Sequence, residues 1–308
     1  MIEHLVPILA GTLGAAVPLV FAGLGELVAE RSGVINLGVE GMMLIGAVAG
    51  FAMAADTGLG AFAGLGAGAL AGMLASLIFA VLSLSLIGNQ AAAGLALTIF
   101  GIGLSSFIGQ HYVSFSLPGL KPLVIPFLAD IPVVGKIFFQ QDPVVYLSWI
   151  AFALVWWVLA RTKLGLLLRA VGESPEAAHA LGHKVLALRY GAVMFGGAMA
   201  GIGGAYLSTV YTPLWVQNMV AGRGWIAVAL VVFATWKPER LMLGAYLFGG
   251  VTILQFHAQG LGIAVPSQIL SALPYAATIL VLVLISRDRR LLQLNLPASL
   301  GRPFLPGG

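Results

Sequence analysis

The chain is predicted to be an all-α, polytopic membrane helix bundle of about nine spans, with broken helices and an inverted repeat. Three observations carry this reading. Of 308 residues, 60% are apolar and only 8% are charged, against about 25% charged in a soluble domain, and the mean hydropathy is +1.02. The apolar residues fall in long unbroken runs, whereas a transmembrane barrel would show segments of strict apolar/polar alternation. Cysteine is absent, which removes disulfides, thiolate nucleophiles and thiolate metal sites together. High hydrophobicity with low charge also excludes a disordered chain.

A bilayer core about 30 Å thick needs roughly 20 helical residues to cross it. Spans are expected at 5–27, 36–55, 60–87, 89–109, 144–160, 188–211, 223–236, 241–258 and 267–286 of a single transmembrane domain, 1–308. The first is expected to be retained, because Glu3 and His4 stand where an export signal carries Lys and Arg. The second opens on the glycine-interrupted Ser32-Gly-Val-Ile-Asn-Leu-Gly38. Only a weak break, Ser83 to Gln90, divides the third from the fourth. The connection 110–143 holds Pro118, Pro122, Pro126, Pro132 and Pro143, so it cannot be one straight helix. It lies on the membrane surface or caps the bundle, as a lid or as a docking surface for a partner outside. Gly64, Gly66, Gly68 and Gly72, with Gly196, Gly197, Gly201, Gly203 and Gly204, form small-residue faces that let helices approach closely.

Lys and Arg set the orientation. Connections 28–35, 161–187, 237–240 and the tail 287–308 fall on one side. With Arg189 at their edge they hold Arg31, Arg161, Lys163, Arg169, Lys184, Lys237, Arg240, Arg287, Arg289, Arg290 and Arg302. The other side holds Lys121, Lys136 and Arg223. The N-terminus is therefore expected outside and the C-terminus in the cytoplasm. The net charge of +4 is a topological marker and gives no reason to invoke nucleic acid.

Within 161–187 one short helix has every punctuation mark. Ser174 can cap it, Pro175 suits its first position, and Glu176 complements the positive end of the dipole. Gly182 suits the left-handed residue that ends it. A helix over 175–181 between basic flanks reads either as an interfacial helix without a partner or as a rigid protrusion that fits a groove on another protein.

The stretch Arg169-Ala-Val-Gly-Glu-Ser-Pro-Glu-Ala-Ala-His-Ala-Leu-Gly182 resembles the coupling-helix loop of ABC-importer permeases of the branched-chain amino acid, simple sugar and nucleoside family. Glu30-Arg-Ser-Gly-Val-Ile-Asn-Leu-Gly-Val-Glu-Gly-Met-Met-Leu-Ile-Gly-Ala47 is similar to the signature of its nucleoside (purine/pyrimidine) subgroup, where sugar permeases more often read Gly-Ile-Asp-Leu-Ser-Val-Gly. Gly88-Asn-Gln-Ala-Ala-Ala-Gly-Leu-Ala-Leu-Thr98 is a third likeness, with Thr98 where family members usually carry Asn. The resemblance covers nearly the whole chain. It implies a permease of the bacterial inner (plasma) membrane that pairs with a second copy or a paralogue over two ATP-binding cassette subunits. An extracytoplasmic binding protein would deliver the solute. The ATPase-coupling residues it implies are Glu173, Ser174, Pro175, Glu176, Ala177, Ala178, His179, Ala180, Leu181 and Gly182. The only Gly-Lys pair, Gly135-Lys136, is followed by Ile and makes no phosphate loop. The chain is thus expected to be no enzyme and to bind no cofactor, with ATP consumed by the partner.

Polar side chains within spans are costly and mark a pathway by default. The candidates for a substrate path are Asn36 and Glu40, four apart and read as one helix face, with Asn89, Gln90, Arg223 and Trp225. Glu26, Gln255 and His257 are further polar residues within spans. Glu40 can instead pair with Arg31 or cap an inner helix end, and Trp225 can anchor at the interface. From Gly224 to Trp236 the seventh span measures roughly 20 Å of helix, too short to cross. Short or glycine-broken segments in matching places of two halves point to a transport site, and the halves are read as 5–109 and 144–286. His4, His111, His179, His183 and His257 show no metal-ligand spacing. The competing readings are a sugar or branched-chain amino acid permease, a self-sufficient secondary transporter or channel, and an intramembrane enzyme. The transporter needs a midplane ion-coupling carboxylate, for which only Glu40 is near. The enzyme needs a catalytic constellation that no span shows.

Overall fold

A computed structural model describes residues 2–260 and 295–305, with isolated positions between 269 and 283. The described chain is almost entirely helical. The long helices are α1 (Ile2–Arg31), α2 (Val39–Thr57), α3 (Gly60–Ala80), α4 (Gln90–Gly109), α6 (Pro143–Arg161), α9 (Val185–Tyr206) and α11 (Pro238–Gly260). Short helices are α5 (Val134–Phe138), α7 (Lys163–Glu173), α8 (Pro175–Ala180) and α10 (Arg223–Phe233). Among the described residues, seven helices are long and apolar enough to cross a membrane, and α10 is a shorter apolar helix. These eight fall on the first eight expected spans. The ninth, 267–286, lies outside the continuously described residues, although Tyr275 within it donates to the Ala221 carbonyl at 2.9 Å.

Local sequence explains the boundaries. Asn89 caps α4 by accepting from Ala92 N–H at 3.0 Å, after a π-helical turn, Val81–Ser85, that ends α3. The Ser83–Gln90 break is therefore real. Asp142 accepts from Val144 and Val145 N–H and Pro143 fills the first position of α6. The proline-rich connection 110–143 folds into α5 and a two-stranded ribbon, β1 (Leu123–Val124) against β2 (Gln140–Gln141). Gln141 Nε2 donates to the Ala10 carbonyl, so this connection is fastened to α1 and closes that end of the bundle.

The two ends are distinct. Arg31 donates to the Trp236 carbonyl at 2.7 Å and to the Asn295 carbonyl at 3.3 Å, and Ser299 N–H donates to the Gly172 carbonyl at 2.9 Å. These bonds gather the four connections expected to share a side, hereafter the basic end. At the opposite end Leu117 N–H bonds the Pro213 carbonyl at 2.8 Å and the Tyr112 hydroxyl bonds Asp56 at 2.6 Å.

The packing is an inverted repeat. Helices α1, α2 and α3 correspond to α9, α10 and α11: α1 lies on α11 as α9 lies on α3, and α1 lies on α10 as α9 lies on α2. Directions are reversed. Helix α1 runs to Arg31 at the basic end, whereas α9 starts there and ends at Tyr206, bonded to Asp142 at the opposite end at 2.9 Å. Backbones approach closely on glycine. A Cβ at Gly204 would lie 1.8 Å from the Met43 carbonyl oxygen, one at Gly201 2.0 Å from that of Gly68, and one at Gly72 2.2 Å from that of Gly197. Gly66 is the exception, with open space around its Cβ position.

Candidate functional site

The two broken segments meet at Glu40. This residue is buried in the first turn of α2. Its Oε1 accepts from Gly222 N–H at 2.8 Å and its Oε2 from Gly224 N–H at 2.7 Å. The carboxylate thus caps α10, satisfying N–H groups that have no intrahelical partner and meeting the positive end of the dipole. Gly222 has φ +82, and a Cβ at Gly224 would lie 2.5 Å from the Glu40 backbone, so glycine is needed for the two segments to touch. From Gly222 to its end α10 spans about 16 Å. Just beyond that end Trp236 is fixed to α1 by Glu30, 2.5 Å from its Nε1, and by Arg31. Glu40 therefore sits about halfway into a ~30 Å hydrocarbon core.

Between Arg31 and α2 the chain is irregular over 32–38, and neighbouring side chains take up its amides. Glu26 Oε1 accepts from Asn36 N–H at 3.0 Å and Gln90 Oε1 from Ile35 N–H at 2.9 Å. Thr98 Oγ1 donates to the Leu37 carbonyl at 3.1 Å. Asn36 Oδ1 accepts from Gly38 N–H at 3.0 Å, and its Nδ2 faces Met42 Sδ at 3.4 Å. Among the described residues, two buried polar atoms have no protein partner, Glu26 Oε2 and Gln90 Nε2, and both belong to side chains that hold this loop. A mixed polar and apolar cavity of about 430 Å³ lies beside it, lined by Ile35, residues 87–91, Gly301 and Pro303.

Several expectations are corrected. Asn36 precedes α2, which begins at Val39, so Asn36 and Glu40 do not share a helix face; Gly33 and Gly38 keep this stretch open. Glu40 does not pair with Arg31, whose donors go to carbonyls. The structure brings Asn36 and Gln90 to one loop and Glu40 to the start of α10. Asn89 is exposed and serves as a cap. Arg223 turns back onto the Met219 and Val220 carbonyls at 3.1 Å, and Trp225 is exposed. Thr98 and the partner amides at Gly222 and Gly224 were not among the candidates. Backbone donors carry no side-chain signal, although the glycine spacing 222–224 was there to be seen.

The short helix at the basic end is α8, Pro175–Ala180, capped by Ser174, which accepts from Ala177 N–H at 3.3 Å, and followed by Gly182 at φ +86. Pro175 and Ala178 face inward, where Ala178 packs with Val171, Val185 and Phe304. Glu173, Glu176, Ala177, His179, Ala180, Leu181 and Gly182 are exposed, a ridge of alanines flanked by Glu176 and His179 with one large apolar tip, Leu181, 78% exposed. Residues 163–173, within the connection expected between two spans, form α7, whose Leu164 and Leu168 line an apolar crevice against α6 and α9.

A model of the family described as "Branched-chain amino acid transport system / permease component" matches residues 8–285. The chain belongs to this family. It is a permease subunit of an ABC transporter, embedded in a membrane. The permease is 42% identical over 95% of both chains to TsgC13 of Haloferax volcanii, whose name provisionally assigns it to a glucose ABC transporter. It is 34% identical to the nucleoside ABC transporter permease protein NupC of Lactococcus lactis over 90% of this chain and 91% of that one. To the guanosine ABC transporter permease protein NupQ of Bacillus subtilis it is 34% identical over 100% and 99%.

Proposed function

We propose that this permease imports nucleosides or related small polar solutes, received from an extracytoplasmic binding protein and moved by ATP hydrolysis in separate cassette subunits that grip α8. The observation that carries the reading is α8 itself: a helix capped at both ends, seated on an apolar platform, with Glu176, Ala177, His179 and Ala180 turned outward. Two membrane helices need only a turn between them. A rigid ridge fits a groove on another protein, and basic connections belong on the cytoplasmic side, where nucleotide is available. The N-terminus is then outside and 110–143 faces the binding protein.

The path runs along the 32–38 loop to the Glu40 contact. While Glu40 caps α10, the two broken segments block each other at mid-depth. Displacement of the loop separates them and exposes amides, Asn36, Gln90 and the carboxylate to a passing solute. An uncharged solute rich in hydroxyls and ring nitrogens uses such donors and acceptors without a fixed counter-charge. Asn89 belongs to the rim of this path, and Arg223 and Trp225 flank the Glu40 contact. A second permease, either a copy or a paralogue, completes the assembly over the two cassettes, and lipid surrounds it.

The nucleoside class is supported by the Glu30–Ala47 stretch and by the names of NupC and NupQ; the name of TsgC13 favours a second reading, a hexose. Uptake into proteoliposomes containing the permease, its cassettes and its binding protein distinguishes them. Saturable uptake of labelled guanosine or uridine that glucose does not compete with is the expected result, and the reverse pattern gives the hexose reading.

A further inference from the structure

Arg189 is fully buried near the start of α9, and none of its hydrogen-bond partners among the described residues is a carboxylate. Its guanidinium ties two pieces of chain to α9: Nε donates to the Ser32 carbonyl at 3.1 Å, and in the segment 295–305 Nη1 donates to the Arg302 carbonyl at 3.2 Å and Nη2 to Ser299 Oγ at 3.1 Å. A planar fork with five donors suits such a bridge, and a lysine does not. Gly301 N–H donates to the Gly33 carbonyl at 3.1 Å. Contacts are tight: a Cβ at Gly33 would lie 2.5 Å from Ser299 Oγ and 2.8 Å from Arg189 Nη2. The same segment, 295–305, is bound on its other side to the α8 support. Ser299 N–H and Oγ donate to the Gly172 carbonyl at 2.9 and 2.7 Å, and Phe304 packs under Ala178 and against the His179 ring.

We propose that residues 295–305, locked by Arg189, are the rigid link that carries displacement of α8 to the 32–38 loop. Helix α8 sits on Phe304, the Ser299 bonds pass through Arg189 and Gly33 to the loop, and the loop ends at Glu40. Coupling between distant sites needs such a contiguous element biased by both. Arg189 is a positioning residue, acting through the loop. The inference rests on the reading of α8 as the cassette-facing helix.

The test is a set of variants reconstituted with cassettes and binding protein, reading solute imported per ATP hydrolysed. Arg189→Lys and Ser299→Ala are expected to assemble and hydrolyse ATP, with import per ATP lowered about tenfold, within the range of typical inter-site couplings. Ser299→Ala removes one hydroxyl and keeps the test available where Arg189→Lys fails to assemble. Unchanged import per ATP in Ser299→Ala, or hydrolysis and import lost together in step with assembly, overturns the link. Glu176→Arg on α8 is run beside them. If it uncouples while Ser299→Ala does not, the link alone is wrong; if it leaves coupling intact, the reading of α8 is wrong and the link falls with it.

Discussion

Glu40 joins the two broken segments on its own carboxylate, because two backbone donors of the second depend on it. In Glu40→Ala both N–H groups are left buried without partners, at a cost of about 1–3 kcal/mol each. The variant is expected to melt well below the parent in detergent and to lose import. Glu40→Gln keeps one carbonyl acceptor and is expected to fall between the two; equal melting temperatures for all three would remove the cap. A charged side chain in an apolar span stands out in sequence, so Glu40 was legible. Its partners were not, since they are amides 182 and 184 residues away with no side-chain signature. Asn36 was legible as a polar intrusion and misread in detail, because a span boundary three residues early placed an irregular loop on a helix face.

Glycine at the element scale does two jobs that look alike in sequence. Gly165 and Gly172 lie in the connection expected between two spans, yet a Cβ at either would lie 2.2 Å from a carbonyl oxygen, Val158 on α6 and Arg31 on α1 respectively. They are packing contacts inside or at the end of α7, which is why that helix was missed while the long spans, marked by apolar runs alone, were placed within a few residues. The distinction is testable on α3. Gly72→Ala drives a methyl into the Gly197 carbonyl and is expected to abolish folding or assembly, since overpacking against backbone costs about 1–3 kcal/mol or more. Gly66→Ala meets open space and is expected to raise stability by roughly 0.5–1 kcal/mol, the helix preference of Ala over Gly. Thermal melts of the two variants in the same detergent decide the matter, and a neutral Gly72→Ala would contradict the close α3–α9 contact.

For the whole molecule the inverted repeat explains why one carboxylate can join both halves. Two broken segments entering from opposite ends meet at one depth, so a single contact bridges both halves and a single displacement opens it. The sequence hinted at this through a glycine-broken second span and a short seventh, while the reciprocal packing of α1 on α11 and α9 on α3 needed the structure. That displacement needs a source of energy, and the proposed function takes it from cassettes that grip α8. The most direct test is solute uptake into liposomes holding the permease alone or the permease with its cassettes and binding protein. Uptake only in the full assembly, only with hydrolysable ATP, and lost when 175–180 is shortened is the predicted result. Saturable uptake by the permease alone without nucleotide would contradict it.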